Sequence, residues 1–245
     1  MPDAAGGPPD YGLDYPKRVS AMFVRAGWTL AFALVIIYIN LSEYPGPALR
    51  MGGAIVLVAA IFVGLGIYMR WSSATGKLRL RDQLLEELAL KGDEKVLVVG
   101  CGRGLMSVAI AKQLDSGKVT AIDVWNPDRL SGNSQNAIRD NAQREQVAAK
   151  LRIERGDPSN LGYADGSFDA VVAVGALQDL ADAPLRAQAL GQMCRVLKPG
   201  GKLLLYDRYA TLEYADELRK ADVTVEPGGR SFLWAIPAQT LIASK

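Results

Sequence analysis

A chain of 245 residues, 49% hydrophobic and 22% charged, has room for one full α/β domain and one further element. Its net charge of +2 shows none of the basic excess of a nucleic-acid-binding domain, and the complete absence of histidine excludes imidazole as general base or metal ligand. The two cysteines, Cys101 and Cys194, fall in separate predicted elements and read as free thiols, so neither a disulfide nor a metal site is expected.

Residues 1–20 begin with a Gly-, Pro- and Ala-rich stretch without periodicity and read as a flexible tail. No charge occurs from residue 26 to 42, and none from 51 to 69. At about 1.5 Å per residue these runs reach roughly 25–29 Å, near the ~30 Å thickness of a bilayer's hydrocarbon core. Glu43-Tyr44-Pro45-Gly46-Pro47 separates them with residues that stop a helix and permit reversal. Residues 21–71 therefore predict a two-helix transmembrane hairpin, the alternative being a buried helical hairpin of a soluble protein. A second span and the lack of a small-residue cleavage site disfavour a cleaved signal peptide. Lys17, Arg18 and Arg25 precede the first span and Arg70, Lys77, Arg79 and Arg81 follow the second, whereas the connecting loop carries only Arg50. The positive-inside rule then puts both termini in the cytosol, with Trp28, Tyr68 and Trp71 at that interface.

A domain is expected from residue 72 to 245. Residues 78–90 show an amphipathic helix with Leu80, Leu84, Leu85 and Leu88 near one face, either a lid over a site or plain core packing. Then Val96-Leu97-Val98-Val99 runs into Gly100-Cys101-Gly102-Arg103-Gly104 and a helix over 105–114. Glycines at alternate positions between a strand and a helix start let a ligand lie against bare backbone amides, as for a nucleotide. The spacing is G-x-G-x-G, whereas the dinucleotide fingerprint is G-x-G-x-x-G, which points away from NAD. The next strand, 118–123, ends in Asp123, which a parallel neighbour would set beside the glycine loop to take the hydroxyls of a ribose. Val124 and Trp125 begin a polar insertion running to 134, and Trp125 is placed either to stack on a base or to pack. A helix over 135–149 and a strand over 151–155 lead to Gly156-Asp157-Pro158. A buried strand over 168–174 is followed by Gln178 and Asp179, the latter either a reactive acid or a helix N-cap. Helix 183–197, the turn Pro199-Gly200-Gly201 and strand 202–207 come next, ending in Tyr206 and Asp207 at the same edge. A helix over 211–219, a strand over 223–225 and a broken strand over 232–243 with Pro237 at a bulge or edge complete the pattern. Alternation of strands and helices means a doubly wound α/β sheet.

Four blocks in this order, residues 96–104, Ala121-Ile122-Asp123, Gly156-Asp157 followed by 165–169, and 196–201, resemble the class I S-adenosylmethionine-dependent methyltransferases. The resemblance runs from about residue 94 to 207. It implies a Rossmann-like sheet of seven strands, the last antiparallel, with S-adenosylmethionine as cofactor. In that family the glycine loop (Gly100, Cys101, Gly102, Gly104) holds the methionine moiety and the carboxylate matching Asp123 holds the ribose. The carboxylate matching Asp157 faces the adenine amino group, and Val124, Trp125, Gly156 and Pro158 fall around the same ligand. Many members carry an acid two residues before the first glycine, where this chain has Val98.

The expected function is a membrane-anchored methyltransferase acting on a lipid or a small lipophilic amine, thiol or phenol. The acceptor would reach the cofactor from membrane lipids past residues 78–90 and the edge formed by Gln178, Asp179 and Tyr206. Asp179, Tyr206 and Asp207 are the candidate proton acceptors. Two other readings stay open: a non-catalytic cofactor-binding membrane module, and a nucleotide-dependent oxidoreductase.

Overall fold

The protein is described here by a computed structural model covering residues 7–209, 213–221, 223–234 and 236–245. Two long helices come first, α1 (Pro16–Asn40) and α2 (Pro45–Trp71), each with proline in its first turn, where the missing N–H has no intrahelical partner to lose. Pro45 and Pro47 thus start α2 rather than forming the loop. The two helices pack through small residues at seven-residue intervals, Ala26 and Ala33 on α1 and Gly52, Ala59 and Gly66 on α2, all buried. A Cβ at Gly66 would lie 2.7 Å from the Phe23 ring, so the close approach needs glycine there. This is how helices associate when hydrophobic burial cannot drive them together. Their outer faces expose large apolar side chains, with Tyr38 at 85%, Leu57 at 65% and Ile39 at 64%.

The helix does not stop at Trp71. A π-helical turn (Ser72–Gly76) joins α2 directly to α3 (Lys77–Leu88), so helix is continuous from the hairpin into the domain. α3 ends at Ala89, in the left-handed region at φ 50°. Leu80, Leu84, Leu85 and Leu88 are buried in the core of the following domain, which answers the question of a lid: α3 is core packing. Each such leucine contributes about 1.5–3 kcal/mol by leaving water.

That domain is a seven-stranded sheet in the order β3-β2-β1-β4-β5-β7-β6. Its strands are β1 (Lys95–Val99), β2 (Lys118–Asp123), β3 (Leu151–Arg155), β4 (Phe168–Val174), β5 (Leu197–Asp207), β6 (Thr224–Ser231) and β7 (Ala238–Ser244). β1 to β5 are mutually parallel, and β7 runs antiparallel to both neighbours. α4 (Leu105–Gln113), α5 (Gln135–Arg144), α6 (Ala183–Val196) and α7 (Glu213–Arg219) supply the crossovers. Strand alternation sorts the core: Val96 and Val98 face α3 and α4 with Leu84 and Ile110, while Leu97 and Val99 face α6 and α7 with Met193 and Tyr214. The strand order reverses at β1, flanked by β2 and β4, and this is where open α/β sheets form a crevice.

Several boundaries depart from expectation. α5 stops at Arg144 because Gln146 turns left-handed at φ 58°. β6 is longer than expected and carries the register shift, between Pro227 and Arg230, so Pro237 lies in the loop before β7 instead of at a bulge. The N-cap of α6 is Asp182, which accepts from the Leu185 amide at 2.9 Å; Asp179 is not a cap. The expected start of α7 at 211–212 lies outside the described residues.

The largest departure is at the N-terminus. Residues 7–15, expected as a flexible tail, form a strap across the domain, with Tyr11, Asp14 and Tyr15 buried. Asp10 pairs with Arg103 at 2.6 Å and accepts at its carbonyl from Asn141 at 2.8 Å, and Asp14 bridges to Leu130 in antiparallel fashion. At the helix junction Lys77 is 3% exposed and donates to the carbonyls of Tyr11 (2.8 Å) and Gly12 (2.5 Å) and to Asp14 Oδ2 (3.1 Å).

Candidate active site

β1 ends in the loop Gly100–Gly104, whose three glycines all have positive φ (72°, 53° and 91°), a backbone that side-chain-bearing residues rarely adopt. At Gly100 a Cβ would also lie 2.5 Å from Ala176 Cβ, because β4's exit turn presses on the loop. The loop is held at its base by the amides of Gly100 and Cys101, which donate to the Ile122 carbonyl at 2.9 and 3.0 Å. Burial pushes the Cys101 thiol well above its ordinary pKa, so it is a packed, unreactive group.

Asp123, at the end of β2, sits beside this loop as expected. Its Oδ2 accepts from the Gly102 amide at 2.7 Å and its Oδ1 from the Trp125 amide at 2.5 Å. A carboxylate offers about four lone-pair sites. Two remain, the number a pair of ribose hydroxyls requires. Trp125 has φ 52°, and its Nε1 donates to the Gly102 carbonyl at 3.3 Å. Its indole packs against the core and does not border the cleft, so it braces the loop, and Val124 and Asn126 face the cleft in its place. Gly156 lies 3.1 Å, by its absent Cβ, from Ile122 and is hydrogen-bonded to the Asp123 carbonyl. Asp157 turns one oxygen to the amide and hydroxyl of Ser159, at 2.8 and 2.7 Å; its Oδ2 receives no hydrogen bond from the described residues. Gly156, Asp157 and Pro158 border the same cleft as the glycine loop and Asp123. These positions suit a nucleoside-bearing ligand, and among the described residues no cluster of acidic or cysteine side chains suits a metal ion.

The cleft encloses about 320 Å³, within the range of small-molecule sites. The three candidate proton acceptors separate. Tyr206 borders the cleft, but its hydroxyl donates to the Ser231 carbonyl at 3.2 Å, burial pushes its pKa up to about 12, and its ring stacks with Trp234 at 6.1 Å between centroids. It is an aromatic wall. Asp207 is one residue later on β5 and so points to the opposite face, where it accepts from the amides of Gln178 (2.9 Å) and Tyr209 (3.3 Å). Burial raises its pKa to about 6, against the pull of those donors, but it does not border the cleft. Asp179 does, and it forms an ion pair with Arg129. Burial raises its pKa and Arg129 opposes the rise.

Arg129 is the centre of a closure that sequence reasoning missed. It also donates to the Gly175 carbonyl at 2.9 Å, lies 4.5 Å over the Tyr15 ring, and accepts at its own carbonyl from the Tyr15 amide at 2.8 Å. Gln178 reaches the Tyr15 hydroxyl at 3.1 Å. Strap, insertion loop and β4 exit turn thus meet over the Gln178–Asp179 edge, the route expected for an acceptor. One signal was available: Tyr11 and Tyr15, each beside an aspartate, are unusual in a disordered tail, which is poor in aromatics. Nothing local marks Arg129 or Lys77.

Residues 97–205 match the family described as Methyltransferase domain. Among the similar curated proteins, "Methyltransferase GfsG" of Streptomyces halstedii is 32% identical over 129 residues, 53% of this chain and 43% of the relative. A "Demethylmenaquinone methyltransferase" of Lactiplantibacillus plantarum is 30% identical over 143 residues, 58% of this chain and 53% of the relative. "Sterol 24-C-methyltransferase erg-4" of Neurospora crassa is 33% identical over 134 residues, 55% of this chain and 33% of the relative. The chain thus spans about half or less of the length of these relatives. In fold it is similar to a SAM-dependent methyltransferase of known structure from Aquifex aeolicus, with TM-score 0.54 and 20% identity, covering 66% of this chain and 88% of the other. A [4+2]-cyclase, SpnF, has the same fold (TM-score 0.55, 19% identity, 69% and 81% covered), so the sheet alone does not specify methyl transfer.

Proposed function

We propose that residues 97–205, which match the Methyltransferase domain family, are the S-adenosylmethionine-dependent catalytic part of a membrane-anchored methyltransferase whose acceptor is a lipid or a small lipophilic amine, thiol or phenol. One observation carries the substrate class. Tyr15, Val19 and Met69 at the base of the helix hairpin form an apolar cluster with Met22, Tyr68, Trp234 and Ile236, and three of these, Tyr15, Trp234 and Ile236, also border the cleft. Apolar side chains are therefore continuous from the base of the hairpin to the cleft wall, beside the β6–β7 loop. The Tyr68 hydroxyl, with its single proton, lies between the carbonyls of Phe232 (2.7 Å) and Trp234 (2.9 Å) and so ties that loop to α2, and Ser72 donates to the Leu233 carbonyl at 3.0 Å. Two relatives named for demethylmenaquinone and a sterol support a lipophilic acceptor.

Membrane anchoring rests on two helices with mean hydropathy of 1.9 and 2.3 over their most apolar stretches, of which only 11% and 17% is buried. A core helix of a soluble protein would be largely buried. Lys17, Arg18, Arg70 and Arg79 at the domain-side ends support a cytosolic location for both termini and the domain. Protease added to sealed, cytosol-out vesicles is expected to digest the domain and leave a protected hairpin; a protected domain would reverse the orientation.

S-adenosylmethionine supplies a methyl group already activated by its sulfonium. The protein's task is then mainly positional, since holding reactants ~3–3.5 Å apart can contribute about 7–11 kcal/mol. Asp123 and the glycine loop would hold the nucleoside and methionine ends, and Tyr206, Trp234 and Ile236 would orient the apolar acceptor. With Asp179 paired, Tyr206 turned to Ser231 and Asp207 behind the turn, no side chain among these stands ready as base, which suits an acceptor already nucleophilic. The same observation favours the second reading, a cofactor-binding module without turnover. The test is surface dilution in lipid discs: with bulk acceptor constant, methyl transfer from labelled donor should follow the acceptor's mole fraction in the bilayer and rise with its chain length. Rates that track bulk concentration alone would refute membrane access, and no labelled product with any acceptor would favour the module.

A further inference from the structure

The resemblance puts an acid two residues before the first glycine, and here that position is Val98, 2% exposed within the core. β1 therefore offers no carboxylate to the positively charged α-ammonium at the cofactor's methionine end. Four carboxylates border the cleft: Asp14, Asp123, Asp157 and Asp179. Asp123 has each oxygen taken by an amide of the loop region, Asp157 is turned to Ser159 beside Gly156 and Pro158, where the resemblance puts the adenine, and Asp179 is paired with Arg129. Asp14 is paired as well, with Lys77, but both of its side-chain donors sit on Oδ2. We infer that Asp14, carried by the N-terminal strap, takes the α-ammonium of S-adenosylmethionine in place of the missing acid, and that Ser73 and Lys77 of the helix junction position it.

The geometry around Asp14 is that of an oriented group with one side left open. The residue is 5% exposed. Its Oδ2 accepts from Ser73 Oγ at 2.9 Å and from Lys77 Nζ at 3.1 Å, while the Asp14 amide donates to Ser73 Oγ at 3.0 Å. Its Oδ1 receives no hydrogen bond from the described residues. Lys77 has only three N–H donors and spends them on Tyr11, Gly12 and Asp14, so it has none for a ligand and serves to hold the strap and the carboxylate. Ser73 lies within, and Lys77 directly after, the π-helical turn, a conformation frequently found at functional sites. An ammonium at Oδ1 would complete an alternation of cation, anion and cation in a low-dielectric site, where charge-assisted hydrogen bonds are strongest.

This inference rests on the cofactor assignment, and its test separates the two. With the full chain in detergent, calorimetry would measure binding of S-adenosylhomocysteine and of 5′-methylthioadenosine, which lacks the amino-acid part. Asp14→Asn is expected to weaken S-adenosylhomocysteine by ~10- to 100-fold and to leave methylthioadenosine within about twofold. The double variant Asp14→Asn with Lys77→Met, which leaves no lone buried charge, should give the same selective loss and covers the case in which the single variant does not fold. Equal weakening of both ligands would mean that Asp14 acts only by holding the strap, and unchanged S-adenosylhomocysteine affinity would mean that it does not touch the ligand; either result overturns the inference. Failure of the unmutated chain to bind either ligand would overturn the cofactor assignment itself.

Discussion

Replacing Lys77 with methionine is expected to lower the unfolding free energy of the domain by about 3–5 kcal/mol, because it leaves the Asp14 carboxylate buried without its cation. Both side chains are almost fully enclosed, at 3% and 7% exposure, so water cannot take over the lost contact. Burial lowers the Lys77 pKa and Asp14 opposes the fall. The carbonyls of Tyr11 and Gly12 would lose their donor in the same step. The strap should detach, and limited proteolysis should then cut within residues 7–15 under conditions that leave the unmutated chain intact. Adding Asp14→Leu to the variant should restore most of the stability, since matched apolar replacement of a buried pair is often neutral or better. A chemical-denaturation midpoint for Lys77→Met within error of the unmutated protein would show that the strap is held by its apolar contacts alone.

Asp123→Ala should weaken S-adenosylhomocysteine binding by about 100-fold, the upper end of what a charge-assisted hydrogen bond of about 1.5–3 kcal/mol supplies, because the residue serves two purposes. In the proposed site its remaining lone pairs take the ribose, and it also holds the Gly102 and Trp125 amides that shape the loop. The near-isosteric Asp123→Asn should fail almost as badly. Each carboxylate oxygen now accepts a backbone N–H, so an amide NH2 in either orientation would face a donor. Calorimetric titration gives the affinities directly. An unaltered dissociation constant for the asparagine variant would remove Asp123 from the cofactor site.

The strand, the glycine loop and the terminal Asp123 were legible because each is a local pattern: a β-branched run, glycines at alternate positions, a carboxylate at a strand end. Parallel pairing then brings Asp123 to the loop without further information, since β1 and β2 run in register from Lys95 and Lys118. The apolar helices were legible for the same reason, through composition and length. Asp207 misled because a strand places neighbours on opposite faces, and Tyr206 already held the face toward the cleft. Trp125 misled because its left-handed backbone turns the indole back onto Gly102.

What the sequence determined by itself, then, is what depends on near neighbours: the class of fold, the glycine loop, the two long apolar helices and the absence of an imidazole base. Only the tertiary structure decided what packs over the cleft. Asp14 meets Lys77 across 63 positions, Asp10 meets Arg103 across 93, and Tyr68 meets Phe232 across 164. Such contacts leave no periodic trace, because a single buried lysine or arginine is chosen by partners that only the folded chain brings within 3 Å.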